Sequence, residues 1–212
     1  MGRDRQQQVD RAARVEAMRN AQKNADRRRN AVIAGVTIGV CLALVAAVMV
    51  VIFRERDRTS ELRAAAEQPI DGVQEFEDLE RDHVPGPVDY EQTPPVGGPH
   101  SPVWANCGVY ENPITNEEAV HSLEHGAVWV TYDPELPAEQ VESLTSQVGA
   151  RSYGLLSPFP DLPSPVVASA WGLQLELESA DDPRLEVFLT KYLQGDQTPE
   201  PGAACTGGRD QS

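Results

Sequence analysis

Between Ala31 and Phe53 the chain has 23 residues without one charged side chain, AVIAGVTIGVCLALVAAVMVVIF. As a helix this run rises about 34 Å at roughly 1.5 Å per residue, enough to cross a hydrocarbon core of about 30 Å. In lipid every backbone N–H and C=O has to be satisfied within the segment, so a spanning run must be helical. Arginines flank it on both sides, Arg27, Arg28 and Arg29 before it and Arg54, Arg56 and Arg58 after it. A signal-peptide apolar region is shorter, about 7–15 residues, and ends at a small-residue cleavage site. Here the run begins after a polar arm of 30 residues and continues directly into Arg-Glu-Arg-Asp-Arg. No face of it is polar, which argues against a half-buried core helix. The expectation is an uncleaved, single-pass transmembrane helix at 31–53.

Charge orients the anchor. Near its N-terminal end stand six cationic side chains (Arg14, Arg19, Lys23, Arg27, Arg28, Arg29), against four beyond it (Arg54, Arg56, Arg58, Arg63). That is a modest bias towards a cytoplasmic N-terminus. The stronger asymmetry is between halves. Residues 1–30 carry 9 basic and 4 acidic residues, or +5, whereas residues 71–212 carry 5 basic and 25 acidic, or −20. A basic arm suits the anionic cytoplasmic leaflet. The predicted location is therefore the plasma membrane, with the N-terminus cytoplasmic and the acidic domain extracytoplasmic. Nucleic acid is not an expected partner, because a −20 domain repels a phosphate backbone. The expected partners are the membrane itself and proteins of the cell envelope.

Cysteine usage agrees with an oxidising compartment. Cys41 lies in the apolar run, and Cys107 and Cys205 lie in the acidic part. Two thiols in an extracytoplasmic domain are most simply a disulfide. Neither has a CxxC partner, so a redox-catalytic role is disfavoured.

Composition divides the chain into a basic arm at 1–30, the span at 31–53, an Ala/Glu/Leu-rich juxtamembrane stalk at 54–81, a proline/glycine-rich loop at 82–103, a globular domain at 104–205 and a disordered tail at 206–212. Within the domain, Ala127 to Tyr132 (AVWVTY) reads as a buried strand. Pro137 to Ala150, with Val141, Leu144 and Val148 at spacings of three and four, reads as an amphipathic helix. Tyr153 to Leu156 is a second strand. Pro165 to Trp171 and Leu173 to Leu177 are two strands, or one bent at Gly172. Pro183 to Leu193 is a second helix, with Leu185, Phe188, Leu189 and Tyr192 on one face. The fold class is α+β: one transmembrane helix plus a small extracytoplasmic β-α-β-β-α domain with a proline-rich leading loop, its helices on one side of a mixed or antiparallel sheet.

One local string carries chemistry, His121-Ser-Leu-Glu124-His125-Gly126. Thr115 followed by Glu118 fits a capping box, and Gly126 fits a helix stop, which predicts a short helix from Asn116 to His125. On it His121 and His125 are i, i+4 neighbours, the spacing that lets two imidazoles reach one metal ion. His100, in Gly97-Gly98-Pro99-His100, is the candidate third ligand, with Glu124 beside the ligands. Three imidazoles suit Cu(II), Zn(II) or Ni(II), and one Cu(II) or Zn(II) is the cofactor considered. The only methionines are Met1, Met18 and Met49, so the domain has no thioether for a Cu(I) carrier. Taken literally the string is also HxxEH, in which Glu124 would activate a zinc-bound water. A catalytic zinc needs a third protein ligand and a substrate cleft, for which a core of about 90 residues leaves little room. The histidines also have a purely structural reading, bonding helix-end carbonyls and the loop above them. Trp104, Trp129 and Trp171 with Tyr110, Tyr132 and Tyr153 read first as packing. Gly97-Gly98-Pro99 lacks the Lys and the strand-to-helix setting of a phosphate loop.

Pro94-Pro95-x-Gly97-Gly98-Pro99-His100, Trp104, Gly108-x-Tyr110, Val120-His121-Ser122-Leu123-Glu124-His125-Gly126, Ala170-Trp171-Gly172 and Cys205 together resemble the family catalogued as domain of unknown function 3105, membrane-anchored proteins found largely in actinobacteria. The resemblance runs from about Tyr90 to Cys205. It implies one compact extracytoplasmic domain and no catalytic residue.

Three functions are compatible with these residues. The first, favoured over a hydrolase but not placed above a scaffold, is a membrane-tethered binding or accessory module holding a transition metal through His100, His121 and His125, and not an enzyme. The others are a metal-dependent hydrolase with Glu124 as base, and a scaffold whose histidines are structural.

Overall fold

The computed structural model describes residues 2–210. Met1 of the basic arm, and Gln211 and Ser212 of the tail, lie outside them. The chain divides into two units, Met1–Arg58 and Thr59–Ser212. The described residues of the first lie within α1 (Gly2–Ala66). Among the described residues this is the one helix long and apolar enough to cross a membrane, and none of its apolar window is buried by protein. It fits a membrane anchor near the N-terminus.

The second unit is built on a six-stranded mixed sheet. Its strands are β1 (Val73–Glu75), β2 (Gly108–Val109), β3 (Val128–Tyr132), β4 (Gly154–Pro158), β5 (Val166–Ala170) and β6 (Leu173–Leu177), in the spatial order β1-β6-β5-β3-β4-β2. Three helices accompany it: α2 (Asn116–Glu124), α3 (Ala138–Gly149) and α4 (Pro183–Tyr192). β3 and β4 are parallel, with Val130 opposite Leu156, and α3 makes the crossover that parallel neighbours require. β3, β5 and β6 are antiparallel, with Val130 opposite Ala168 and Ala168 opposite Leu175. The bend expected at Gly172 is the tight turn between β5 and β6. Gly172 has φ +71°, and a Cβ there would lie 2.9 Å from the Phe76 carbonyl oxygen. The class is α+β, as composition and periodicity predict.

The strands bury side chains on both faces, and two cores follow. On one face Val128, Val130, Leu156, Ala168 and Leu175 pack against Leu144 and Val148 of α3 and Leu185, Phe188 and Leu189 of α4. Each of the Val, Leu and Phe side chains among these contributes about 1.5–3 kcal/mol when withdrawn from water. The other face is covered too. There Trp129 and Leu155 pack against Ala119, Val120 and Leu123 of α2, with Ala105, Ile114 and Trp171. Helices therefore flank the sheet on both sides, whereas α3 and α4 alone predict a single covered face. The reason is the near-continuous apolar character of β3, which leaves no face for solvent.

Segments assigned by composition to linkers belong to this unit. Val73–Glu75, in the expected stalk, pairs with β6 at the sheet edge. The proline/glycine-rich loop is seated on the second core. Val96 is fully buried, and Gln174 Nε2 donates to the Pro94 carbonyl. The tail, expected to be disordered from residue 206, is bonded as far as Asp210. Arg209 N donates to the Trp104 carbonyl, and Asn106 Nδ2 donates to Asp210. The Cys107–Cys205 disulfide anchors its start.

Candidate metal centre

Three segments converge above the second core. The first is the proline/glycine-rich loop, closed on itself by a bridge between His83 and His100. Val84 N donates to the His100 carbonyl, and His100 N donates to the Asp82 carbonyl. The second is α2, whose apolar side (Ala119, Val120, Leu123) fixes its rotation. Ser122 Oγ donates to the Ala105 carbonyl at 2.7 Å and locks its height. Gly126, at φ +97°, ends it by donating from N to the Leu123 carbonyl. The third is the segment that follows α4, where Glu200 N donates to the Glu124 carbonyl and Gln194 N to the Gly126 carbonyl.

This convergence collects every histidine of the chain, since there are only four. His100, His121, Glu124 and His125 are buried, while the His83 side chain is 47% exposed. One ligand atom from each of His83, His100, His121 and Glu124 can be chosen so that all four lie within 4.8 Å of one another. His83 stacks on His121, with ring centroids 4.8 Å apart, and His100 meets both edge-on at 4.9 Å. His125 lies beside His121 at 4.5 Å. The structure thus brings His100, His121, Glu124 and His125 together, with His125 adjoining the cluster through His121.

Hydrogen bonds fix the tautomers. A carbonyl oxygen only accepts, so a ring nitrogen facing one must carry the proton. His100 Nδ1 donates to the Gly98 carbonyl at 2.8 Å, His121 Nδ1 to Ser101 at 2.6 Å, and His125 Nδ1 to Ala204 at 2.8 Å. In each neutral ring the bare lone pair is then on Nε2. Those lone pairs face other acceptors: His100 Nε2 is 3.0 Å from Glu124 Oε2, and His121 Nε2 is 2.9 Å from His125 Nε2. Each contact needs a cation between its partners, either a proton or a metal ion. Backbone carbonyls holding Nδ1–H and aiming Nε2 inward are the usual outer support of metal-ligating imidazoles. Burial holds the His121 pKa down to about 4; the Ser101 carbonyl opposes the shift, and the neighbouring imidazoles add to it.

His83 is the residue that local sequence reasoning passes over. Its ring meets the site through a backbone bridge to His100, which no periodicity reports. The available signal was the histidine count, with three of four already assigned. At the capping box read at Thr115 the residue is at the N-cap but its side chain makes no cap bond, and Glu118 Oε1 meets Arg209 Nη1 at 2.7 Å. Of the aromatics, Trp129 and Trp171 are core, and Trp104 packs over His125 and His121, with centroids at 5.0 and 5.6 Å.

The class so defined is an α+β domain carrying a buried histidine–carboxylate cluster, preceded by one long apolar helix. A family model described as Protein of unknown function (DUF3105) matches residues 83–207. The chain belongs to that family, and the matched span begins at His83 and takes in all four histidines and both disulfide cysteines. No curated protein and no solved structure matches the chain.

Proposed function

We propose that this is a single-pass membrane protein whose extracytoplasmic domain binds a divalent transition-metal ion through His83, His100, His121 and Glu124, as a binding or accessory module of the cell envelope. The observation that carries the reading is the tautomer arrangement. Buried imidazoles are held by backbone carbonyls so that their Nε2 lone pairs converge on each other and on a carboxylate. Imidazole with one carboxylate favours Zn(II), Cu(II) or Ni(II) over Ca(II) or Mg(II), which prefer oxygen ligands. The Cys107–Cys205 disulfide and the acidic character of the domain support an extracytoplasmic position.

Glu124 reads here as a ligand rather than a general base. Its Oε2 faces His100 Nε2 at 3.0 Å and His83 Nε2 at 3.8 Å. A hydrolase of the HxxEH type would instead aim this carboxylate at a water held by His121 and His125.

The test is metal content of the full chain in detergent, stripped with a chelator and reloaded separately with Zn(II) and Cu(II). At least one tightly held ion per chain, lost in His100→Ala and in Glu124→Gln, is the expected result. If no ion is retained, the histidines are structural. A reporter fused after residue 212 that is active only outside the cell tests the orientation.

A further inference from the structure

We propose a second metal position in the same cluster, between His121 Nε2 and His125 Nε2, with the Glu200 carboxylate as its third ligand. The proposal rests on the reading of the cluster as a metal site, and it differs in ligands, exposure and stoichiometry.

Two separate contacts in the cluster bring acceptor atoms together, and one ion bridges only one of them. The first is His100 Nε2 with Glu124 Oε2, backed by His83; with two ions bound these three hold the first, and the one free lone pair of His121, on Nε2, goes to the second. The second is His121 Nε2 with His125 Nε2, 2.9 Å apart. Two nitrogens bound to one ion at about 2.0–2.1 Å and at right angles to each other sit about 2.9 Å apart, so the second pair already has the separation of adjacent ligands. Right-angled ligand pairs belong to square-planar, tetragonal or octahedral ions, which favours Cu(II) or Ni(II) there over tetrahedral Zn(II). Glu200 Oε2 lies 3.6 Å from His125 Nε2 and supplies the negative charge that two neutral imidazoles lack. That side chain is 54% exposed, so an ion at this position borders solvent. The rings are held in place: the Ala204 carbonyl, one residue before the disulfide, fixes His125, and Ser101 fixes His121.

The test titrates the chelator-stripped full chain in detergent with Cu(II). Trp104, its ring 5.0 Å from that of His125, reports occupancy by fluorescence quenching. Elemental analysis gives the stoichiometry. The expected result is two ions per chain in the wild type and one in His125→Ala. Glu200→Gln, at an exposed position that leaves folding intact, weakens the second equivalent at least tenfold. Two neighbouring Cu(II) ions also broaden each other's paramagnetic resonance signal, and that coupling disappears in Glu200→Gln. One ion in both wild type and His125→Ala overturns the second position and leaves the first standing. One ion in the wild type with none in His125→Ala also overturns it, because His125 then serves the single site. No ion in the wild type overturns both readings.

Discussion

Arg209 Nη1 lies 2.7 Å from Glu118 Oε1, joining the end of the tail to the first turns of α2, the helix that carries His121 and Glu124. Glu118 is buried while Arg209 is largely exposed, so the pair is stronger than a surface bridge and weaker than a fully enclosed one. Arg209→Ala is expected to cost about 1 kcal/mol. Equilibrium denaturation of the variant should show it, and the loss should shrink when Glu118 is already Gln. Equal losses in both backgrounds would mean the contact carries no coupling.

The disulfide acts on the same tail over a longer range. Cys107 and Cys205 are 98 residues apart in sequence, and a cross-link closing a loop of that length removes about 4–5 kcal/mol of unfolded-state entropy on the chain-entropy model. Reduction, or the Cys107→Ser/Cys205→Ser pair, is predicted to lower stability by about 4 kcal/mol. It should also raise tail proteolysis, since Cys205 precedes the Arg209 and Asp210 contacts. Matching denaturation curves with and without reductant would show that native contacts alone hold the tail.

Gly126 has no tolerance for a side chain. Its φ is +97°, and a Cβ would meet Thr198 Oγ1 at 3.0 Å and Gln194 Cα at 3.1 Å. Gly126→Ala therefore combines a left-handed backbone with a clash against the segment after α4, costing about 2 kcal/mol. For a unit of this size that corresponds to a drop in Tm of about 4–8 °C. An unchanged Tm would place the helix stop elsewhere.

The elements legible in sequence are those whose pattern is local. The apolar run, the α3 spacing of Val141, Leu144 and Val148, the α4 face and the AVWVTY strand each state their own burial. What was not legible depends on partners far along the chain. β1 and β2 are three and two residues long and exist only because β6 and β4 offer edges. Glu118 fits a local capping pattern, but its contact with Arg209 is made by a residue 91 positions away. The site divides in the same way. His121, Glu124 and His125 share one helical turn and can be read from spacing, and His100 from its loop. His83 enters only through its bridge to His100, and the fixed tautomers come from carbonyls on two separate segments, the proline/glycine-rich loop and the stretch before Cys205.

The depressed basicity of His121 gives a pH signature in the metal-free chain. Its pKa is about 4 in the folded state, lowered chiefly by burial, against about 6.5 when unfolded. Between those values the unfolded chain holds a proton on this ring and the folded chain does not. Stability from this group is therefore complete above about pH 7, declines as pH falls below 6.5, and levels off below 4. At pH 5 the expected loss is about 2 kcal/mol relative to pH 7.5. Denaturation at the two pH values, in chelator, should show this loss in the wild type. His121→Asn, whose side chain does not titrate, should lack it. The carboxylates shared by both proteins cancel in the comparison. Parallel behaviour of the two proteins would show that His121 takes up a proton as readily when folded as when unfolded. The buried, carbonyl-held imidazole would then not be the neutral base that its position above the second core dictates.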